Sequence, residues 1–375
     1  MKTPICDMLG IDIPLLAFSH CRDVVAAVTN AGGFGVLGAS SHTADELEAE
    51  LAWIDAQVGG KPYGADIVAA EKFEGKGQGI TPQDLLARVP DEHKVFVATI
   101  LRDHGVEAAE DAVAQVIGLG VSDKKGEILL DVAMGHPIKL IASALGVPPS
   151  YMIEAGKSAG IPVAALVGAK EHAIKQVQAG VDIIVAQGTE AGGHCGEVTT
   201  MVLVPEVVEA IRPYGDVPVL AAGGIVTGRQ MAAAVALGAA GAWTGSVWLT
   251  TPEAETAPHT VKKMLAASSR DTVRSKGRTG KLSRQLKSDW TKAWDAPDAP
   301  APLPMPLQSW LSEPSLRRLD GLADKGDAGA QALVTYWVGQ GVGLMNTTKS
   351  TRDVVLEMAE DYIAATERLV GSLGD

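Results

Sequence analysis

Aromatic residues are scarce in this chain, at 4% of the total. It therefore lacks the stacking platforms on which single-stranded nucleic acids bind. Positive charge is short as well. Thirty-two Lys and Arg face 45 Asp and Glu, for a formal net charge of −13, and such a surface repels phosphate backbones. Together these absences exclude nucleic acid as a general partner. Three cysteines, Cys6, Cys21 and Cys195, are too few for a disulfide framework and are not spaced as metal ligands, so no metal is expected. The opening residues, Met1–Asp7, carry no apolar signal core. No uninterrupted apolar run approaches the ~18 residues of a membrane span. These features predict a cytoplasmic protein without a membrane partner. They leave oligomeric state open, with a homodimer as the candidate.

Glycine, in contrast, is abundant, at 42 of 375 residues, well above the roughly 7% average. Many tight turns or close backbone–ligand approaches follow. The 46% hydrophobic content supports a large core and excludes wholesale disorder. Eight short, continuous apolar runs read as strands buried on both faces: Ile13–Phe18, Phe34–Leu37, Tyr63–Val68, Ile138–Ser143, Pro162–Leu166, Asp182–Gln187, Val217–Ala221 and Gly241–Val247. Helical stretches fall between them, at Cys21–Asn30, Thr43–Gln57, Pro149–Ala159, Ala169–Gln178, Pro205–Arg212 and Gly228–Leu237. Alternation of strand and helix means a parallel sheet, and eight units favour a closed (β/α)8 TIM barrel over a doubly wound open sheet. Residues 1–250 form this barrel. A long insertion at about 71–131, placed after the third strand, interrupts the rhythm. Residues 251–335 are rich in Pro and Trp and read as a smaller cap on the substrate side. Residues 336–375 return to the barrel with a final amphipathic helix, Thr351–Leu369.

The strongest chemical signal is Gln187-Gly188-Thr189-Glu190-Ala191-Gly192-Gly193-His194-Cys195-Gly196. Its glycines leave bare N–H groups able to approach a ligand. His194 follows a barrel strand at its C-terminal end, the catalytic end of such folds, and can shuttle a proton or hold an anion. Two further strand ends, Ala222-Gly223-Gly224 and Gly245-Ser246, fall after strands seven and eight. Barrels bind phosphate there, with backbone N–H groups and a helix N-terminus. Gly32-Gly33 reads as a helix C-cap and turn. His20 suits either the pocket or a cap. His136, at the opposite end of the barrel, reads as structural, and Cys195 lacks the context of a catalytic thiol. The basic stretch Lys262-Lys263 and Arg270–Arg284 reads as a solvated face, with an anionic carrier such as a CoA phosphate as the alternative partner.

Gln187–His194, Pro218–Ile225 and Trp243–Ser246 together resemble the nitronate monooxygenase family, formerly called 2-nitropropane dioxygenases; Asn30–Gly35 and Val338–Gly343 match it too. The resemblance implies an FMN-binding TIM barrel. It also implies one of two activities: oxidation of alkyl nitronates with O2, or reduction of a quinone or enoyl thioester with NADH or NADPH. A flavin-binding protein without turnover is a further alternative. By the same resemblance, Gly223, Gly224, Gly245 and Ser246 hold the FMN phosphate, and Ala222 beside them belongs to the cofactor site. Gln187, Gly192 and Gly193 lie along the flavin, with Gln340 near the isoalloxazine. His194 is the catalytic base or the partner of the substrate anion. Three segments depart from the family pattern: Phe18-Ser19 after strand one, Asp66 where an Asn is usual after strand three, and Ser143 leading into Ala144-Leu145-Gly146 after strand four. These are expected against the flavin, and a carboxylate at Asp66 would disfavour an anionic reduced flavin.

Overall fold

The computed structural model describes residues 1–71, 74, 76, 84, 87–107 and 124–373. Eight strands close into a parallel barrel in the order β1 (Leu15–Ser19), β2 (Phe34–Gly38), β3 (Gly64–Asp66), β4 (Ile141–Ser143), β5 (Val163–Val167), β6 (Ile183–Gln187), β8 (Val219–Ala222) and β9 (Gly241–Thr244), with β9 paired back onto β1. The order excludes the open sheet. The remaining strands, β7 (Gly193–His194), β10 (Thr272–Ser275) and β11 (Ser283–Leu286), make a separate antiparallel sheet in the order β10-β11-β7.

The barrel strands are short and buried on both faces, which is why their sequences run apolar without alternation. Leu16, Phe34, Val36, Ala142, Ile183, Val185, Leu220 and Trp243 share one internal core with Ile5 and Leu9 of the N-terminal helix Pro4–Leu9. Three prolines, Pro14, Pro162 and Pro218, stand just ahead of β1, β5 and β8. Each accepts a neighbour's N–H, from Ala242, Ile141 and Ile184 respectively, and has no N–H of its own to leave unpaired. These positions explain why the ladders start later than the apolar runs.

Two further boundaries differ from the sequence reading. The last barrel strand stops at Thr244 rather than Val247, and Ser246–Thr250 forms a 3-10 turn. The helix read as Pro205–Arg212 spans Thr200–Ile211, with Pro205 inside it. Pro205 deprives the Met201 carbonyl of its helical partner. Met201 is exposed, so water can take that bond.

The insertion helix Asp91–Asp103 joins a core of its own with the tryptophans of the later segment. Val97, Ile100 and Leu101 pack with Trp290, Trp294 and Trp310, and His93 Nε2 lies 2.9 Å from Ala301 O. Of the insertion, residues 72–73, 75, 77–83, 85–86 and 108–123 lie outside the described residues. The final helix, Thr351–Gly371, packs on Gly228–Ala236, and Arg229 pairs with Asp361 at 2.8 Å. A Cβ on Gly228 would sit 1.9 Å from Met358 O and 2.5 Å from Tyr362 N. Both are backbone atoms that cannot swing aside. Gly228→Ala should therefore lower stability by about 2 kcal/mol or more, read as a reduced urea midpoint. An unchanged midpoint would mean that the two helices separate at no cost. Among the described residues no helix is long and apolar enough to cross a membrane.

Candidate active site

The C-terminal ends of the barrel strands open into a cavity of about 1080 Å³. This exceeds the roughly 300–1,000 Å³ of ordinary small-molecule pockets and leaves room for a cofactor beside a substrate. Strand ends line its base with Phe18, Ser19, Asp66, Gln187, Ala222 and Trp243. Gly223, Gly224, Gly245 and Ser246 line one side, and Gly192, Gly193 and His194 another. Two expected site residues fall outside the lining. Ser143 is buried at the end of β4, and Gln340 uses its backbone N–H to bind Glu190 O at 2.8 Å.

The glycine side can cradle an anion. Gly223 and Gly224 turn with φ of +107° and +73°, a backbone that side chains rarely adopt. Among the described residues the N–H groups of Gly223, Gly224 and Gly245 find no protein acceptor, so they are available to phosphate oxygens. In the first turn of the following helix Arg229 N already donates to Asp361 Oδ2 at 2.7 Å, and the loop ahead of it is held by Gln230. Gln230 Oε1 already accepts from Val226 N and Thr227 N, and Gln230 Nε2 donates to Gly224 O at 2.8 Å. The cradle is therefore built from loops, with Gln230 holding it. Ser246 Oγ accepts from Gly339 N at 2.8 Å, which leaves its proton for a ligand and ties the returning chain to the site. Glu190 fixes the other edge, where its Oε2 accepts from Thr200 N and Oγ1, each at 2.9 Å. A Cβ on Gly245 would meet no protein atom and would project into open space beside the cradle. Gly245→Val should leave the FMN-free protein's melting temperature unchanged and weaken FMN binding about tenfold or more. Unaltered FMN affinity would place the phosphate elsewhere.

His194 belongs to β7, and its place is set by Ser283 opposite it on β11. Its Nε2 lies 2.8 Å from Thr279 Oγ1. That hydroxyl donates to Lys281 O at 3.1 Å and so serves as acceptor toward the imidazole. Nε2 then carries the proton and Nδ1 keeps a free lone pair. Burial, with Lys281 and Arg278 nearby, lowers its pKa to about 4, so the ring is neutral at pH 7. Asp66 closes β3 at 4% exposure, and its Oδ1 has no partner among the described residues. Burial alone raises its pKa to about 7, so near neutrality the carboxyl is protonated about half the time. An ionised carboxylate is thus only part of its population there.

The nitronate monooxygenase family model matches residues 14–361. The chain belongs to that family. Membership makes the protein an oxidoreductase of a flavin-dependent family, and the free N–H cradle fits the phosphate of FMN. The protein named "Putative monooxygenase Rv1533" from Mycobacterium tuberculosis (strain ATCC 25618 / H37Rv) is 53% identical over 375 residues, covering 99% of each chain. Among solved structures, nitroalkane oxidase from Streptomyces ansochromogenes superposes with a TM-score of 0.79 at 25% identity, over 97% of this chain and 99% of that one. A methionine-to-alanine mutant of FabK from Thermotoga maritima gives 0.72 at 25% identity, over 99% of both chains.

The sequence analysis gave no role to Thr279, Thr200 or Glu190 and did not anticipate the β10-β11-β7 sheet. It also misread much of the basic stretch as a solvated face. Arg278 is 5% exposed, pairs with Glu313 at 2.7 Å and stacks 3.7 Å over the Trp337 ring. Arg284 is also buried, and its Nε donates to Thr189 O at 2.8 Å. A run of cations looks solvated until its acidic and carbonyl partners are known, and these lie up to 95 residues away. His20 faces the cavity, with Nδ1 3.1 Å from Gly38 O. His136 is structural, held between Asp55 at 2.7 Å and Glu48 at 3.1 Å.

Proposed function

We propose that this family member oxidises alkyl nitronates with O2, with FMN bound in the cradle. The observation that carries the reading is the neutral His194 at the edge of the cavity, with Nδ1 unprotonated and Lys281 nearby. A group with a pKa near 4 is a poor base toward a carbon acid. It suits a substrate that arrives already deprotonated, as a nitronate does. An anion entering beside it would raise its proton affinity, and Thr279 would hold the ring in place while it gains charge.

FMN supplies the redox chemistry. Gly223, Gly224, Gly245 and Ser246 would hold its phosphate, and Gln187, Gly192 and Gly193 would flank the rest. Phe18 and Trp243, stacked 6.4 Å apart, give the base of the cavity an apolar wall. The test is oxygen uptake by the FMN-loaded protein with a preformed alkyl nitronate. Turnover with nitronate, and little with the parent nitroalkane at the same pH, supports the reading. Absence of both reactions overturns it.

A second reading rests on the FabK superposition, which is as complete as that of nitroalkane oxidase. In it, NADH or NADPH reduces the flavin, and a quinone or enoyl thioester is the acceptor. Rapid anaerobic bleaching of the flavin by either nucleotide favours this alternative.

A further inference from the structure

Asp66 closes β3 at the base of the cavity and takes no part in the glycine cradle or in the contacts of His194. Its carboxyl has no hydrogen-bond or ionic partner among the described residues, and Oδ1 is sealed from solvent. The side chain lines the cavity, so the little exposure it keeps is turned to the space a ligand would fill. A carboxylate held this way has lost water and gained no partner in return. Burial accordingly raises its pKa to about 7 before any ligand enters.

No charged group stands where it could hold the anion. On the β2 side Gly38 is opposite Asp66, and His20 lies against Gly38 with Nδ1 3.1 Å from its carbonyl oxygen. Burial lowers the His20 pKa, so that ring is neutral at pH 7. His42 follows the 3-10 turn Ala39–Ser41 with Nδ1 3.3 Å from Ala39 O. On the β4 side the neighbours are Ala142 and the uncharged Ser143. Beyond them Glu71 lies against Gly146, and Lys76 Nζ donates to Ala70 O and Glu71 O. Lys125, at the start of the helix Lys125–Met134, is drawn to Glu46. None of these groups moves the proton affinity of Asp66, for which burial is the sole cause.

The barrel order says which end of a ligand meets this carboxyl. From β3 to β8 the ladder runs four strands either way, through β4, β5 and β6 or through β2, β1 and β9. Asp66 therefore stands across the mouth from the Gly223-Gly224 end of the cradle. FMN is elongated, so with its phosphate in that cradle the opposite wall meets its ring end. The isoalloxazine presents carbonyl oxygens and ring nitrogens with lone pairs against a single N–H. A carboxylate would confront those lone pairs, whereas a carboxylic acid can donate to one of them. A ligand covering the cavity also takes the last water from the carboxyl and brings the phosphate charge into the same space. Both effects disfavour the ionised form.

We propose that Asp66 is a proton-carrying contact for the cofactor: with FMN in the cavity its carboxyl is neutral and donates a hydrogen bond to an acceptor at the ring end, so the protein takes up a proton from solvent when it loads FMN above neutral pH. The proposal rests on FMN binding in this cavity and holds for either redox reading.

The experiment titrates FMN into FMN-free wild type and Asp66→Asn, followed by flavin fluorescence from pH 6 to pH 9. Over that range wild type should lose affinity about tenfold or more relative to the variant, whose amide does not titrate. The comparison cancels the ionisation of the FMN phosphate itself. Calorimetry in two buffers of different ionisation enthalpy counts the proton directly. At pH 8 wild type should take up most of one proton per FMN. Infrared difference spectra of wild type at pH 8 should gain, on loading, the carbonyl band of a protonated carboxylic acid, and the variant should not show it. The proton count and the wild-type band need no variant and so stand even if Asp66→Asn does not fold. Parallel pH curves for the two proteins, no proton uptake by wild type, or a missing band each overturn the proposal while leaving FMN binding intact. Failure of wild type to bind FMN at every pH overturns the cofactor assignment and the proposal with it.

Discussion

Replacing His194 with asparagine should lower kcat/KM for the nitronate by about 10²–10⁴-fold, the range expected for a lost acid–base group, while FMN stays bound. The imidazole takes no part in the glycine cradle. It lines the cavity from β7 and hydrogen-bonds Thr279, not the loops after β8 and β9. Asparagine keeps a polar group in place but cannot take up a proton. Steady-state kinetics and the flavin spectrum, measured on one preparation, separate the outcomes. Unchanged kcat/KM would remove His194 from the chemistry, and loss of flavin would make it a cofactor anchor. The pH profile adds a check. Because the ring of the free protein is pushed down to about 4, kcat/KM should stay flat from pH 8 through 6.5 and show the titration of His194 only below about pH 5. A limb near 6.5 would mean that the ring titrates as if in water.

The second large effect is on stability, at Asp66. Its folded-state pKa is raised, to about 7 from the ordinary 3.8. The folded protein therefore binds this proton more tightly than the unfolded chain does. The contribution is fully favourable below about pH 4 and is lost as pH rises through 7. Above pH 7 the ionised carboxylate, 4% exposed and with no positive partner among the described residues, carries the whole penalty. About three pH units correspond to roughly 4 kcal/mol, an upper bound. Asp66→Asn keeps the shape and cannot ionise. Urea unfolding of FMN-free protein should show the variant more stable than wild type at pH 8, by up to roughly 4 kcal/mol, and close to wild type at pH 4. An equal gain at both pH values would trace the effect to packing instead of ionisation.

These two residues show what a sequence can and cannot disclose. His194 was legible because it stands in a glycine-rich segment directly after a strand, and strand ends carry the chemistry of a barrel. Asp66 was legible as a position, since it closes the third apolar run. Its protonation was not, because burial depends on neighbours from β2 and β4. Ser143 was placed correctly at a strand end yet lies outside the cavity lining, because a strand's last side chain can face the packed side of the barrel as easily as its mouth. Arg278 was misread for a related reason. Its carboxylate partner, Glu313, is 35 residues away on another element.

By itself the sequence determined the closed barrel, the order of its eight parallel strands and the glycine turns after the last two. Those features follow from local causes: the length and continuity of apolar runs, proline at strand entries, and glycine where the backbone must turn with positive φ. Tertiary structure alone decided the β10-β11-β7 sheet, the tautomer and charge of His194, and the hold of Gln230 on the Gly224–Thr227 loop. Each depends on groups far apart in the chain meeting at atomic distance, where burial and partner geometry set protonation and charge. Local pattern carries no record of such meetings.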